Sequence, residues 1–115
     1  MKLLRKEHER RLIAQGRWNA GRERAEDFKP IVKLFCPWSG ATWLLSELDP
    51  EDTDLAFGLC DLGMGFPELG RVRLSELAAV RGPGGLHIER DRWFRALKTL
   101  SAYADEARRH QQIIA

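Results

Sequence analysis

The sequence predicts an α+β fold: a small four- or five-stranded, mostly antiparallel sheet packed with an N-terminal helix, a short middle helix and a C-terminal helix. Three observations carry this. Between Ile31 and Leu74, short apolar stretches alternate with turn residues at strand-sized intervals. Leu3 to Gln15 is proline-free and dominated by Leu, Arg, Lys, Glu, Ala and Gln, all good helix formers. Leu100, Tyr103, Ala104 and Ala107 recur at the spacing of one helix face.

The elements follow in order. The first helix is predicted over Leu3–Gln15, docked by a thin stripe of Leu3, Leu4, Leu12 and Ile13, with Glu7–Arg11 as a favourable i,i+4 pair and Gly16 as its stop. Residues 16–29 are polar and charged and read as a mobile connector. Ile31–Cys36 is the first strand and Pro37–Gly40 a turn. Ala41–Leu48 is the second strand, with Thr42, Leu44, Ser46 and Leu48 on one face and Ala41, Trp43, Leu45 and Glu47 on the other. Apolar residues on both faces call for helical cover on at least one side. Asp49–Asp54 reads as an acidic turn, Leu55–Leu62 as the third strand and Glu68–Leu74 as a fourth, more polar edge strand. A short helix spans Ser75–Arg81, ended by Gly82-Pro83. His87–Arg95 gives a fifth strand, and Leu100–Arg109 the last helix.

A chain of 115 residues is most simply one structural domain, with residues 1–29 as basic helix and connector and 30–115 as the α+β body. Such a chain buries roughly two thirds of its unfolded surface and folds without metal or disulfide. Cys36 and Cys60 are therefore expected as buried free thiols. No apolar run approaches the roughly 20 residues of a membrane span, and the basic N-terminus lacks the apolar core of a signal peptide. A soluble, cytoplasmic protein without membrane contact is expected. The net charge of +2 conceals a segregation: residues 1–29 carry +4, residues 30–70 carry −6 and residues 71–115 carry +4. Either the basic ends fold back to neutralise the acidic middle, or a basic face is presented to an acidic partner.

Several strings share the order and spacing of one family: Val32-Lys33-Leu34-Phe35, Gly40-Ala41-Thr42-Trp43-Leu44-Leu45, Glu47-Leu48-Asp49-Pro50, Ala56-Phe57-Gly58-Leu59-Cys60-Asp61-Leu62-Gly63 and Pro67-Glu68-Leu69-Gly70. Leu74-Ser75-Glu76-Leu77, Ile88-Glu89-Arg90-Asp91 and Leu100-Ser101-Ala102-Tyr103 continue them. Over about residues 28–109 the chain resembles the bacterial family catalogued as domain of unknown function (DUF) 2958. The resemblance implies a small α+β protein carried with plasmids and integrated mobile elements. It implies no assigned activity, and no cofactor is expected.

The residues offer few catalytic constellations. Asp49, Asp52, Asp61 and Glu68 are the metal candidates: carboxylates converging at one end of a sheet would hold Mg²⁺ or Ca²⁺ and activate water on a phosphodiester. An EF-hand counted from Asp49 fails, because its sixth place is Asp54 rather than glycine. Asp49-Pro50-Glu51-Asp52 is also ordinary turn chemistry, and Asp61 and Glu68 flank a glycine reversal whose backbone N–H groups a carboxylate would accept. Gly63-Met64-Gly65 begins a phosphate-binding pattern, but its third glycine place is Glu68. His8, His87 and His110 are scattered away from Cys36 and Cys60, which leaves neither a nucleophile–base pair nor zinc spacing.

Basic and aromatic residues interleave once, in Arg90-Asp91-Arg92-Trp93-Phe94-Arg95. On a strand, Arg90 and Arg92 share one face and Trp93 and Arg95 the other, a surface suited to single-stranded nucleic acid; Arg71 and Arg73 would extend it. The competing reading makes Trp93 and Phe94 core anchors and pairs the arginines with the acidic middle. Trp38, in a turn, would mark a contact surface if exposed. Three functions are therefore expected in order: a non-enzymatic accessory protein binding nucleic acid or a protein partner, a metal-dependent phosphodiester-cleaving enzyme, and a homo-oligomer pairing through an exposed edge strand.

Overall fold

The computed structural model describes residues 3–115. It contains α1 (Lys6–Asn19), β1 (Val32–Phe35), β2 (Thr42–Asp49), β3 (Asp52–Asp61), β4 (Glu68–Arg73), α2 (Leu74–Ala79), β5 (Glu89–Arg90) and α3 (Leu100–His110). The strands form one antiparallel sheet in the order β4-β3-β2-β1-β5. The fold class is the α+β arrangement that the sequence predicts.

Both sheet faces are covered. Leu12 of α1 and Leu77 of α2 pack with Val32, Leu34, Trp43, Leu45, Leu48 and Ala56 on one face. On the other, Leu100, Tyr103, Ala104 and Ala107 of α3 cover Leu44 and Leu59. Burying each large aliphatic side chain contributes about 1.5–3 kcal/mol, so the sheet is held mainly by these two apolar layers. Cys36 is buried and Cys60 half-buried, and both are free thiols.

Several elements differ from their expected limits for identifiable reasons. α1 runs through Gly16 rather than stopping there. Gly16 is a packing site: a Cβ would lie 2.0 Å from the carbonyl oxygen of Leu48. The helix ends at Asn19, whose amide donates to Glu47 (2.8 Å) and whose oxygen accepts the Glu26 N–H (2.8 Å). The expected Glu7–Arg11 ion pair does not form. In β2 the face assignment needs correction. A register shift between Leu45 and Glu47 leaves Ser46 unpaired against β3, and Gln15 donates to its carbonyl (2.6 Å). This β-bulge turns Leu48 onto the face of Trp43 and Leu45 instead of that of Leu44.

The acidic run is also mostly strand. Only Pro50 and Glu51 separate β2 from β3, with Asp49 accepting the Glu51 N–H (2.8 Å). Arg73 on neighbouring β4 bridges Asp52 (3.0 Å) and Asp54 (3.7 Å), which relieves their mutual repulsion within β3. Asp54 further accepts the Ser75 N–H (2.9 Å) at the start of α2. The connector is tied down as well: Phe28 accepts the Leu100 N–H (2.9 Å), and Asp27 accepts that of Ser101 (3.1 Å), satisfying free donors at the start of α3. β5 shrinks to two residues because Asp91 folds back to accept the Trp93 N–H (2.9 Å), a side-chain turn that competes with the ladder.

Candidate functional site

The shortened β5 changes which groups its basic segment meets. Beyond Asp91 the chain leaves the sheet and projects Arg92 and Trp93 outward, and Trp93 is 90% exposed. Phe94 turns inward instead, its ring centroid 6.4 Å from that of Tyr103. Of the two aromatics expected as core anchors, only Phe94 is one.

The outward segment faces α1. His8, Arg11, Gln15 and Trp18 recur at spacings of three or four residues, so they form one stripe about 15 Å long at 1.5 Å per residue. Three adjoining recesses run along it. The first, about 330 Å³, lies between the start of α1 and the Arg90–Arg95 segment. The second, about 580 Å³, shares Arg11 and Arg95 with it and adds Gln15, Phe28 and Lys29. The third, about 500 Å³, is apolar and shares Gln15 and Phe28 while adding Trp18. Together they make a groove with an exposed indole near each end. Trp18 is 54% exposed, and the Arg22 guanidinium lies 4.2 Å from its ring centroid.

The first recess has an excess of positive charge. Arg5, Arg11, Arg90, Arg92 and Arg95 line it against only Glu7 and Asp91. None of these arginines is in an ion pair among the described residues, whereas Asp91 already faces Lys33 at 3.7 Å. Arg90 donates to the Leu3 carbonyl. Burial, then the nearby Arg5 and Arg92 charges, holds its pKa below the usual guanidinium range. His8 lies on the same side of α1. Its pKa is lowered by burial first and then by Arg90, with Glu7 opposing. Its Nδ1 accepts the Arg5 N–H (3.3 Å), which leaves Nε2 as the protonated nitrogen of the neutral ring.

The remaining sequence candidates lie elsewhere. Arg71 stands over the Phe57 ring at 5.6 Å, and Arg73 is committed to Asp52 and Asp54. Both are on β4, four strand spacings from β5, or about 19 Å. They do not extend the Arg90–Arg95 surface. Trp38 is half-buried, its ring filling the space where Gly82 has no Cβ. The acidic candidates do not converge either. Asp49 and Asp52 pair at the β2–β3 turn, and Asp61 lies at the other end of β3, about 30 Å away at 3.3 Å per residue. Asp61 is buried and accepts the N–H groups of Gly63 (2.8 Å) and Ile113 (2.9 Å), which fastens the C-terminal tail to the sheet. Glu68 is exposed opposite Cys60. Among the described residues no three metal-capable side chains cluster.

Sequence reasoning missed Arg5, His8, Arg11, Trp18, Phe28 and Lys29. The one signal available was the basic and aromatic stripe at helical spacing on α1; its partner segment is more than 70 residues away in the chain.

A family model described as "Protein of unknown function (DUF2958)" matches residues 3–114, nearly the whole chain. No curated protein and no solved structure matches it.

Proposed function

Because the chain belongs to the DUF2958 family, whose description assigns no activity, we propose its function from its own geometry: a module that binds single-stranded nucleic acid along the groove beside α1. The observation that carries this reading is the set of guanidiniums of Arg5, Arg11, Arg90, Arg92 and Arg95, none in an ion pair among the described residues, next to the exposed indole of Trp93. Guanidiniums attract the phosphates, and an exposed ring offers a stacking platform for a base that is not already stacked in a duplex. The groove is about 15 Å long, so it admits a few nucleotides of an extended strand. The module binds the strand rather than cleaving it. The carboxylates that a metal-assisted hydrolysis would need are divided between the two ends of β3.

The test is fluorescence anisotropy with single- and double-stranded oligonucleotides of DNA and RNA at several salt concentrations. Single strands are expected to bind more tightly than duplexes. With four phosphates neutralised, the slope of log K against log salt is expected near about −3. Absence of binding at low salt, or tighter binding of duplex, would overturn the reading.

A second reading, self-association, is favoured by one observation. β4 is an edge strand, and the loop leading into it exposes Leu62, Met64 and Phe66. Sedimentation across a concentration series tests it: a dimer lost on Phe66→Ser supports it, and a monomer throughout rejects it.

A further inference from the structure

We propose that the recess at the start of α1 binds a phosphomonoester, the terminal phosphate of the strand, rather than one more internal phosphodiester. This rests on reading the groove as a nucleic-acid site. The recess closes the groove at the end away from Trp18, and its charge exceeds what a diester requires. Five guanidiniums converge there from two elements, opposed only by Glu7 and by an Asp91 already facing Lys33. They approach closely enough that Arg5 and Arg92 disfavour the charged form of Arg90. A diester brings one charge and two free oxygens. A monoester brings about 1.5 to 2 charges near neutral pH and three acceptor oxygens, which forked guanidiniums match bidentately. The recess also lies at the positive end of α1, where an anion is stabilised; of the first-turn carboxylates, Glu7 lines it and Glu9 does not. Trp93 at the rim is placed to stack on the terminal base.

The same chemistry is offered by a strand end and by a free nucleotide, and the experiment separates them. Decamers with a 5′-phosphate, with a 3′-phosphate and with both ends hydroxyl are compared by anisotropy, with a nucleoside 5′-monophosphate as competitor. One phosphorylated end is expected to gain about tenfold in affinity over the hydroxyl-ended decamer, a difference of about 1.4 kcal/mol. Arg92→Gln is expected to erase that gain and to weaken the hydroxyl-ended decamer by a smaller factor, since that strand loses one guanidinium contact as well. Arg92 is exposed and makes no hydrogen bond among the described residues, so an unchanged melting temperature will show that the variant is folded. Equal affinities for all three decamers would overturn the terminal-phosphate site and leave strand binding standing. A monophosphate binding as tightly as the phosphorylated decamer would keep the phosphomonoester site and overturn the strand reading. No binding of any probe would overturn both.

Discussion

Gly16→Ala tests the fold and the site together. In an isolated helix this change is stabilising by about 1 kcal/mol, because alanine is the best helix former and glycine among the worst. If Gly16 were an interior position of α1 with open space beside it, the protein would gain that stability. In the structure a Cβ at position 16 would lie 2.0 Å from the Leu48 carbonyl oxygen, 3.1 Å from its carbon and 3.4 Å from Pro50 Cδ. The obstacle is backbone in the bulged part of a buried strand, so it cannot rotate away as a side chain would. Relief requires α1 to retreat from β2 by about 1 Å, and a gap of that size forfeits up to about half of each affected contact's dispersion attraction. Overpacking of this kind costs about 1–3 kcal/mol. At the upper end, and after the propensity gain, about 2 kcal/mol of destabilisation remains. With an unfolding entropy of about 2.1 cal/mol/K per residue over the 115 residues, the melting temperature should fall by about 8 °C. The same retreat moves Arg11 and Trp18 away from the Arg92–Arg95 segment, so strand affinity should fall as well. Thermal unfolding followed by circular dichroism, with anisotropy on the folded variant, measures both. A melting temperature unchanged or raised would refute the packing role of Gly16.

Trp93→Ala should weaken single-strand binding by about 1–3 kcal/mol, the usual cost of losing one stacking platform. Its melting temperature should not move, because the ring is 90% exposed; Arg73→Gln, on the far edge of the sheet, should leave anisotropy titrations unchanged. Asp61→Asn should destabilise by about 1–3 kcal/mol, since one of the two backbone N–H groups the carboxylate accepts would face an amide N–H₂. Urea melts check this, and a loss confined to the tail beyond Gln111 in hydrogen exchange would locate it. For His8 the folded pKa lies below the unfolded one, through burial and then Arg90. Its contribution to stability is therefore complete above the unfolded value near 6.5 and is lost as pH falls through the lower folded value. A bound phosphate reverses the local balance set by Arg5, Arg11 and Arg90 against Glu7, so strand affinity should rise as stability falls. Titrations of the hydroxyl-ended decamer, which has no terminal phosphate to titrate, at pH 7.5 and 5.5 check both signs, and His8→Gln should remove the linked part of each.

The sequence by itself determined the kinds of element and their order. Alternation in Ala56–Cys60 and the helical spacing of Leu100, Tyr103, Ala104 and Ala107 state which side chains share a face, and the two core layers follow those patterns. The edge position of β4 was readable from its polar composition in the same way. The face of Leu48 was not, because the Ser46 bulge is an extra residue that only the pairing with β3 reveals. The role of Gly16 was hidden as well, since a glycine at a helix end and a glycine under a strand carbonyl look alike in one dimension. The acidic run extended β3 only because Arg73 from the next strand neutralises Asp52 and Asp54. The candidate site divides in the same manner. Arg90, Arg92, Arg95 and Trp93 could be read from one local string, but Arg5, His8, Arg11, Lys29 and Trp18 could not. Periodicity records which face of a segment avoids water. Which solvent-facing surfaces then meet is decided when α1 packs across the sheet, by contacts between residues far apart in the chain.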